Sequence, residues 1–320
     1  MKYRYQSLEL ELYNYERSVD VETFSVRVAN SPNDSQPIHQ ADRVTLTREM
    51  REQFRRLEER SLEPADMIAL GEQIAALMFP RGARHFLDTS IAMLGEDALR
   101  ISLVLDTPLV DVPWEYVYLR TDESTDRKNA IGFLALEPRF SIVRLEQISG
   151  PRGAFEPIDK LRLLAVLASP ASPDYPPLDI AGEKDYIQKA VSRAPRITVD
   201  FREQATRAQL RQGMIEGAHI FQFSGHGEFK VGMGEDFRSV EGAGCIVLVD
   251  EEGRPDEYSA VDLGIALADR GVRLAVLCAC EGGQRDRVQR WTGVAATLAW
   301  KHIPGVVAMQ YSVYDDCALA

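Results

Sequence analysis

At 320 residues and 45% hydrophobic content, the chain can bury a sizeable core in one large or two modest domains, and its composition excludes a disordered or fibrous protein. Its 37 basic against 49 acidic residues leave a formal charge of −12, which argues against a broad nucleic-acid or anionic-membrane surface. The four cysteines form neither a disulfide framework nor a CxxC pattern, and neither a signal segment nor an apolar run of about 18 residues is present, so a soluble, cytoplasmic protein is expected.

Residues 3–15 alternate polar and apolar side chains, with Leu8, Leu10 and Leu12 on one face, and residues 23–28 alternate again, which predicts an opening antiparallel strand pair. A Ser/Pro/Asn/Asp-rich loop is expected over 30–40, a charged and solvated helix over 47–59, and an amphipathic helix over 64–79 that buries Met67, Leu70, Ile74, Leu77 and Met78. Residues 98–105 alternate as a strand, 108–119 read as a turn and strand with Trp114 as a core anchor, 121–128 as a loop, and 133–143 as a strand. The stretch 148–157, with two prolines and two glycines, is the expected boundary between a domain at 1–157 and one at 158–320.

The second half alternates strand and helix patterns. Strands are expected at 161–168, 196–199, 219–223, 273–279 and 306–310, helices at 180–192, 206–216, 260–269 and 292–301, and a hairpin arm at 245–250. This alternation predicts an α/β fold with a mostly parallel sheet flanked by helices. The segments 228–243 and 281–290 mix glycine with charge and are expected to be loops, mobile at rest.

Two of the strand runs end in potential chemistry: Ser224-Gly225-His226-Gly227 follows 218–223, and Cys280-Glu281-Gly282-Gly283 follows 274–279. Open α/β sheets bind ligands outside the carboxyl ends of their strands, so His226 and Cys280 are expected to face one crevice. A thiol with a pKa of about 8.5 is mostly protonated near neutrality, and an adjacent imidazole can take its proton or stabilise the thiolate. The glycines suit tight turns in which backbone amides, near Gly227 and Cys280, approach a substrate oxyanion. Cys278 has the same strand face as Cys280 but lies inside the run, and is expected to be a small buried hydrophobe. The five histidines show no ligand spacing with cysteines or acids, so no metal site is expected; neither GxGxxG nor GxxxxGK[ST] is present, so no nucleotide cofactor is expected either.

These motifs resemble those of the CHAT domain, a caspase-like cysteine peptidase module related to separases, metacaspases and gingipains. The matching residues are Phe223 to Gly227, Leu277 to Gly283 and Gly305 to Gln310, with Val112-Pro113-Trp114-Glu115 resembling the Pro-Trp-Glu signature that precedes the peptidase half. Together they span the chain from about Val110 onward. The separation of 280 − 226 = 54 residues is close to the roughly 50 between histidine and cysteine in caspases, whose signature shares Ala-Cys-x-Gly.

The resemblance implies a caspase-like fold, with an N-terminal α/β half that is regulatory or a pseudo-peptidase-like layer. It makes His226 the general base and Cys280 the nucleophile of a cysteine endopeptidase acting on a protein substrate through an acyl-enzyme. It also implies a partner protein or a fused sensor or repeat module that relieves latency, as in bacterial signalling or defence. CHAT domains usually continue beyond the position of Cys317 to Ala320, so a short or truncated domain is expected. A basic P1 residue is expected, read by Asp315 or Asp316, which follow the strand at 306–310 as the P1-reading acid does in separases. Metacaspases place that acid two positions before the nucleophile, where this chain has Cys278. Arg285, Arg287 and Arg290 offer the runner-up, a pocket for an acidic P1 residue. The alternative to a peptidase is a caspase-like interaction or scaffold module without activity.

Overall fold

The computed structural model describes residues 3–19, 21–32, 41–119, 132–145, 156–233, 239–278 and 288–308. The chain divides into two units, 1–147 and 148–320, each with its own sheets. Among the described residues no helix is long and apolar enough to cross a membrane.

The first unit runs β1 (Tyr5–Arg17), β2 (Val21–Asn30), β3 (Asp42–Thr47), α1 (Arg48–Glu58), α2 (Pro64–Met78), α3 (Arg81–Met93), β4 (Ala98–Leu105), β5 (Tyr118–Leu119), β6 (Gly132–Phe133) and β7 (Phe140–Leu145). Its five-stranded sheet has the order β3-β2-β1-β4-β7, antiparallel on the β2 side of β1 and parallel on the β4 side. The expected alternation of β1 is realised: Leu8, Leu10 and Leu12 are fully buried, and Leu10 and Leu12 sit opposite Val28 and Val26 of β2.

Three features differ from the sequence reading. Helix α1 is charged outside but buries Met50, Phe54 and Leu57, an i, i+4, i+7 stripe hidden among arginines and glutamates. Helix α3 was not anticipated, because its buried stripe is only Ala83, Leu87 and Ser90, too small and polar to stand out. The strand expected over 133–143 is interrupted by a 3-10 turn at Leu134–Leu136, and only Phe140–Leu145 pairs with β4. Trp114 is the anchor it was expected to be: fully buried, edge-on to Phe24, its indole N–H donating to the Leu109 carbonyl at 2.9 Å.

The second unit runs β8 (Leu161–Leu167), α4 (Ile180–Ser192), β9 (Ile197–Glu203), α5 (Arg207–Ile215), β10 (Ile220–Ser224), β11 (His226–Met233), β12 (Ser239–Val249), β13 (Pro255–Ser259), α6 (Ala260–Ala268), β14 (Leu274–Cys278), α7 (Val288–Trp300) and β15 (Gly305–Ala308). Five strands form a wholly parallel sheet in the order β15-β14-β10-β8-β9. Central parallel strands are covered on both faces, which explains their continuous apolar runs. On one face Leu164, Val166, Phe221, Phe223, Ala275 and Leu277 pack with Leu210 and Met214 of α5, Leu263 and Leu267 of α6, and Val294 and Leu298 of α7. On the other, Leu163, Ala165 and Leu167 pack with Ile187 of α4.

The segment 228–243, expected to be a mobile loop, is instead largely strand: β11 and β12 pair antiparallel, and β13 extends them to a three-stranded sheet between β10 and α6 in the chain. The apolar run from Cys245 to Val249 is almost fully buried and anchors the ladder. Backbone hydrogen bonds then carry pairing outward, where glycines and charges had suggested a turn. Of the other expected loop, 281–290, Val288 already opens α7, and positions 281–287 lie outside the described residues.

Candidate active site

Strands β10 and β14 are parallel neighbours, and their last residues, Ser224 and Cys278, lie opposite each other in register. The Gly225 N–H donates to the Cys278 carbonyl at 3.3 Å, so the chain leaves both strands from one point on the carboxyl edge of the sheet. Glycine is required there. A Cβ on Gly225 would stand 2.5 Å from the Phe223 ring and 2.9 Å from the Ala168 carbonyl oxygen.

His226 follows as the first residue of β11, only 4% exposed, with its ring centroid 5.2 Å from that of Tyr175. Its Nε2 lies 2.9 Å from the Pro176 carbonyl oxygen. A carbonyl only accepts, so Nε2 carries a proton, and in the neutral ring Nδ1 is then the nitrogen that can accept one, as a general base must. Gly227 is buried next to it, opposite Ile246. His219 is a structural histidine by contrast, its Nδ1 accepting from the Arg162 backbone N–H at 3.0 Å.

Cys278 ends β14 half-buried on the α4 face. Burial, and then the nearby Glu183 carboxylate, push its thiol up to about 11, an effect that a hydrogen bond with Ser224 only partly offsets. Such a thiol is neutral and unreactive near pH 7. Cys280, Asp315 and Asp316 lie outside the described residues, as do Arg285 and Arg287, while Arg290 belongs to α7.

Sequence reasoning missed two groups. Glu183, in the first turn of α4, accepts a hydrogen bond from the Ser224 hydroxyl at 2.7 Å and a long one from Gln222 Nε2 at 3.5 Å. Its sequence signal was weak: an acid at the start of the helix after β8, a helix that begins near the carboxyl edge of the sheet. The other group is Glu228, Cys245 and Glu257, one from each strand of the antiparallel sheet, whose potential ligand atoms lie within 4.8 Å of one another. These are the described residues best placed to hold a cation, although Glu228 already accepts from the Tyr175 hydroxyl. Burial and that bond hold the Tyr175 phenol well above its ordinary range. Antiparallel register brings the three together, and no local spacing announces it.

The family model of the CHAT domain matches residues 28–320. The chain belongs to the CHAT domain family. The match begins near the end of β2 and reaches into both units, further upstream than the Pro-Trp-Glu motif from which the resemblance was traced. No curated protein matches the chain. Membership relates this CHAT domain to the caspase-like cysteine peptidases, a relationship with which its mixed α/β architecture and parallel sheet are compatible.

Proposed function

We propose that this CHAT domain is a cysteine endopeptidase whose dyad is His226 and Cys280. The observation that carries the reading is the setting of His226: buried at the carboxyl edge of the sheet, with Nε2 bonded to the Pro176 carbonyl, beside the strand that leads to Cys280. Cys278, two residues earlier, has a thiol raised too far to serve as nucleophile.

In the proposed reaction, His226 Nδ1 takes the Cys280 thiol proton, and the thiolate attacks the scissile carbonyl carbon. Backbone amides near Gly227 and Cys280 hold the tetrahedral oxyanion. Collapse breaks the C–N bond, His226 returns its proton to the departing amine, and a thioester remains. His226 then deprotonates a water that attacks the thioester, releasing the acid and restoring the thiol. We further propose a basic P1 residue, work in the reducing cytoplasm on a protein substrate, and latency relieved by a partner protein or fused module.

An acyloxymethyl-ketone peptide carrying P1 Arg tests the reading. A covalent adduct mapped to Cys280 by mass spectrometry, and lost in His226→Ala, is expected. Absence of any adduct, with and without lysate from the source cell, would leave a caspase-like interaction module without activity as the better account.

A further inference from the structure

Among the described residues, the Glu183 carboxylate at the carboxyl edge of the parallel sheet has no cationic partner. Its side chain is half-buried, makes no ion pair among the described residues, and accepts both of its hydrogen bonds, from Ser224 and Gln222, on Oε1. Oε2 has no hydrogen-bond partner among the described residues. A carboxylate has about four acceptor sites, and one taken partly out of water without a cation is costly. The neighbouring charged side chains are already engaged: Lys184 pairs with Glu203, and Asp179 caps α4 through the Gly182 N–H. Cys278, which feels the Glu183 charge, stays a neutral thiol and supplies no compensation.

The position of this carboxylate matters as much as its charge. It sits against Ser224 and Cys278, the last residues of β10 and β14. His226 is two residues past the first and Cys280 two past the second, and two residues of chain span at most about 7 Å. An arginine or lysine side chain held with its carbonyl at the dyad is long enough to reach back over that distance.

We propose that Glu183 is the specificity-determining residue of this site, its free oxygen meeting the guanidinium or ammonium of a basic P1 residue. The proposal rests on the peptidase reading for the identity of P1. Ser224 donates to the other oxygen of the carboxylate, and the substrate cation completes a charge-assisted pair that the described residues leave open. It assigns to a helix residue the role for which sequence had suggested Asp315 or Asp316.

Binding, measured without turnover, separates this proposal from the peptidase reading. Fluorescent peptides with P1 Arg, or with its neutral isostere citrulline, are titrated against the full chain carrying Cys280→Ala. The Arg peptide is expected to bind at least about tenfold tighter, a difference near 1.4 kcal/mol. Adding Glu183→Gln is expected to bring the two peptides within about twofold. Glu183→Asp, which keeps the charge but withdraws it by one methylene, is expected to weaken Arg binding several-fold and leave citrulline binding unchanged, so the proposal stays testable if the Gln variant does not fold. Equal binding of Arg and citrulline peptides, a preference for P1 Asp, or an Arg preference that survives Glu183→Gln and is lost in Asp315→Asn overturns it. Unchanged Arg binding by Glu183→Asp overturns it as well. If binding behaves as expected but wild-type protein neither cleaves the Arg peptide nor forms a Cys280 adduct, the peptidase reading fails and the cation-binding role of Glu183 stands.

Discussion

Cys278 and Cys280 are separated by one alanine, and the surroundings of Cys278 set its chemistry. Cys278 is held neutral by burial and by Glu183, so Cys278→Ser is expected to retain most peptidase activity. Cys280→Ala and His226→Ala are each expected to lower kcat/KM at least about 10³-fold with an unchanged far-ultraviolet spectrum, since dyad members act as a unit. If Cys278→Ser were as inactive as Cys280→Ala while folded, the assignment of the nucleophile would be wrong. The raised Cys278 thiol also has a consequence for stability. Its neutral form is favoured in the folded state, so its contribution is complete below the ordinary thiol value near 9 and is lost as pH rises from there through about 11. Urea midpoints are expected to fall more steeply between pH 9 and 10 in wild type than in Cys278→Ala.

Strand ends, more than strand interiors, decide this site. Gly225 joins β10 to β11 at a place where any Cβ meets the Phe223 ring and a backbone oxygen of the adjoining segment. Gly225→Ala is expected to cost about 1–3 kcal/mol, the range for forcing extra volume into a packed region. Because His226 is the next residue, labelling of Cys280 should fall by more than the stability loss explains. Wild-type labelling rates in a destabilised Gly225→Ala protein would mean that this turn does not position the histidine. The same elements show how far periodicity can be trusted. The runs leading to His226 and Cys280 are apolar, bounded by glycine and buried as sequence implied, whereas β11 and the outer part of β12 were hidden because antiparallel backbone pairing tolerates glycine and charge.

Each unit has its own five-stranded sheet, and among the described residues no strand is shared between them. The family match nevertheless begins at residue 28, inside the first unit, so the CHAT domain includes both. Separate sheets predict separable unfolding. In a denaturant titration, Trp114 in the first unit and Trp300 in the second are expected to report different midpoints when each is the sole tryptophan, with the remaining tryptophans replaced by Phe. Coincident midpoints would show that the two units unfold as one.

The amino-acid sequence alone determined the alternation of strands and helices in the second unit, the antiparallel opening pair of the first, the anchor Trp114, and the family. Each is written in local signals: period-two or continuous apolar runs, cap residues, and glycines where the chain turns. Helix α4 lies where the sequence pattern placed it, over Ile180–Ser192. Only tertiary structure decided that β10 and β14 are neighbours in register, that Pro176 fixes the tautomer of a histidine 50 residues away, and that Glu183 reaches a serine 41 residues further on. Such pairings depend on strand order and on which face of the sheet a helix covers. Neither leaves a mark in the residues on either side of the contact, because the energy that selects them comes from burying the sheet as a whole.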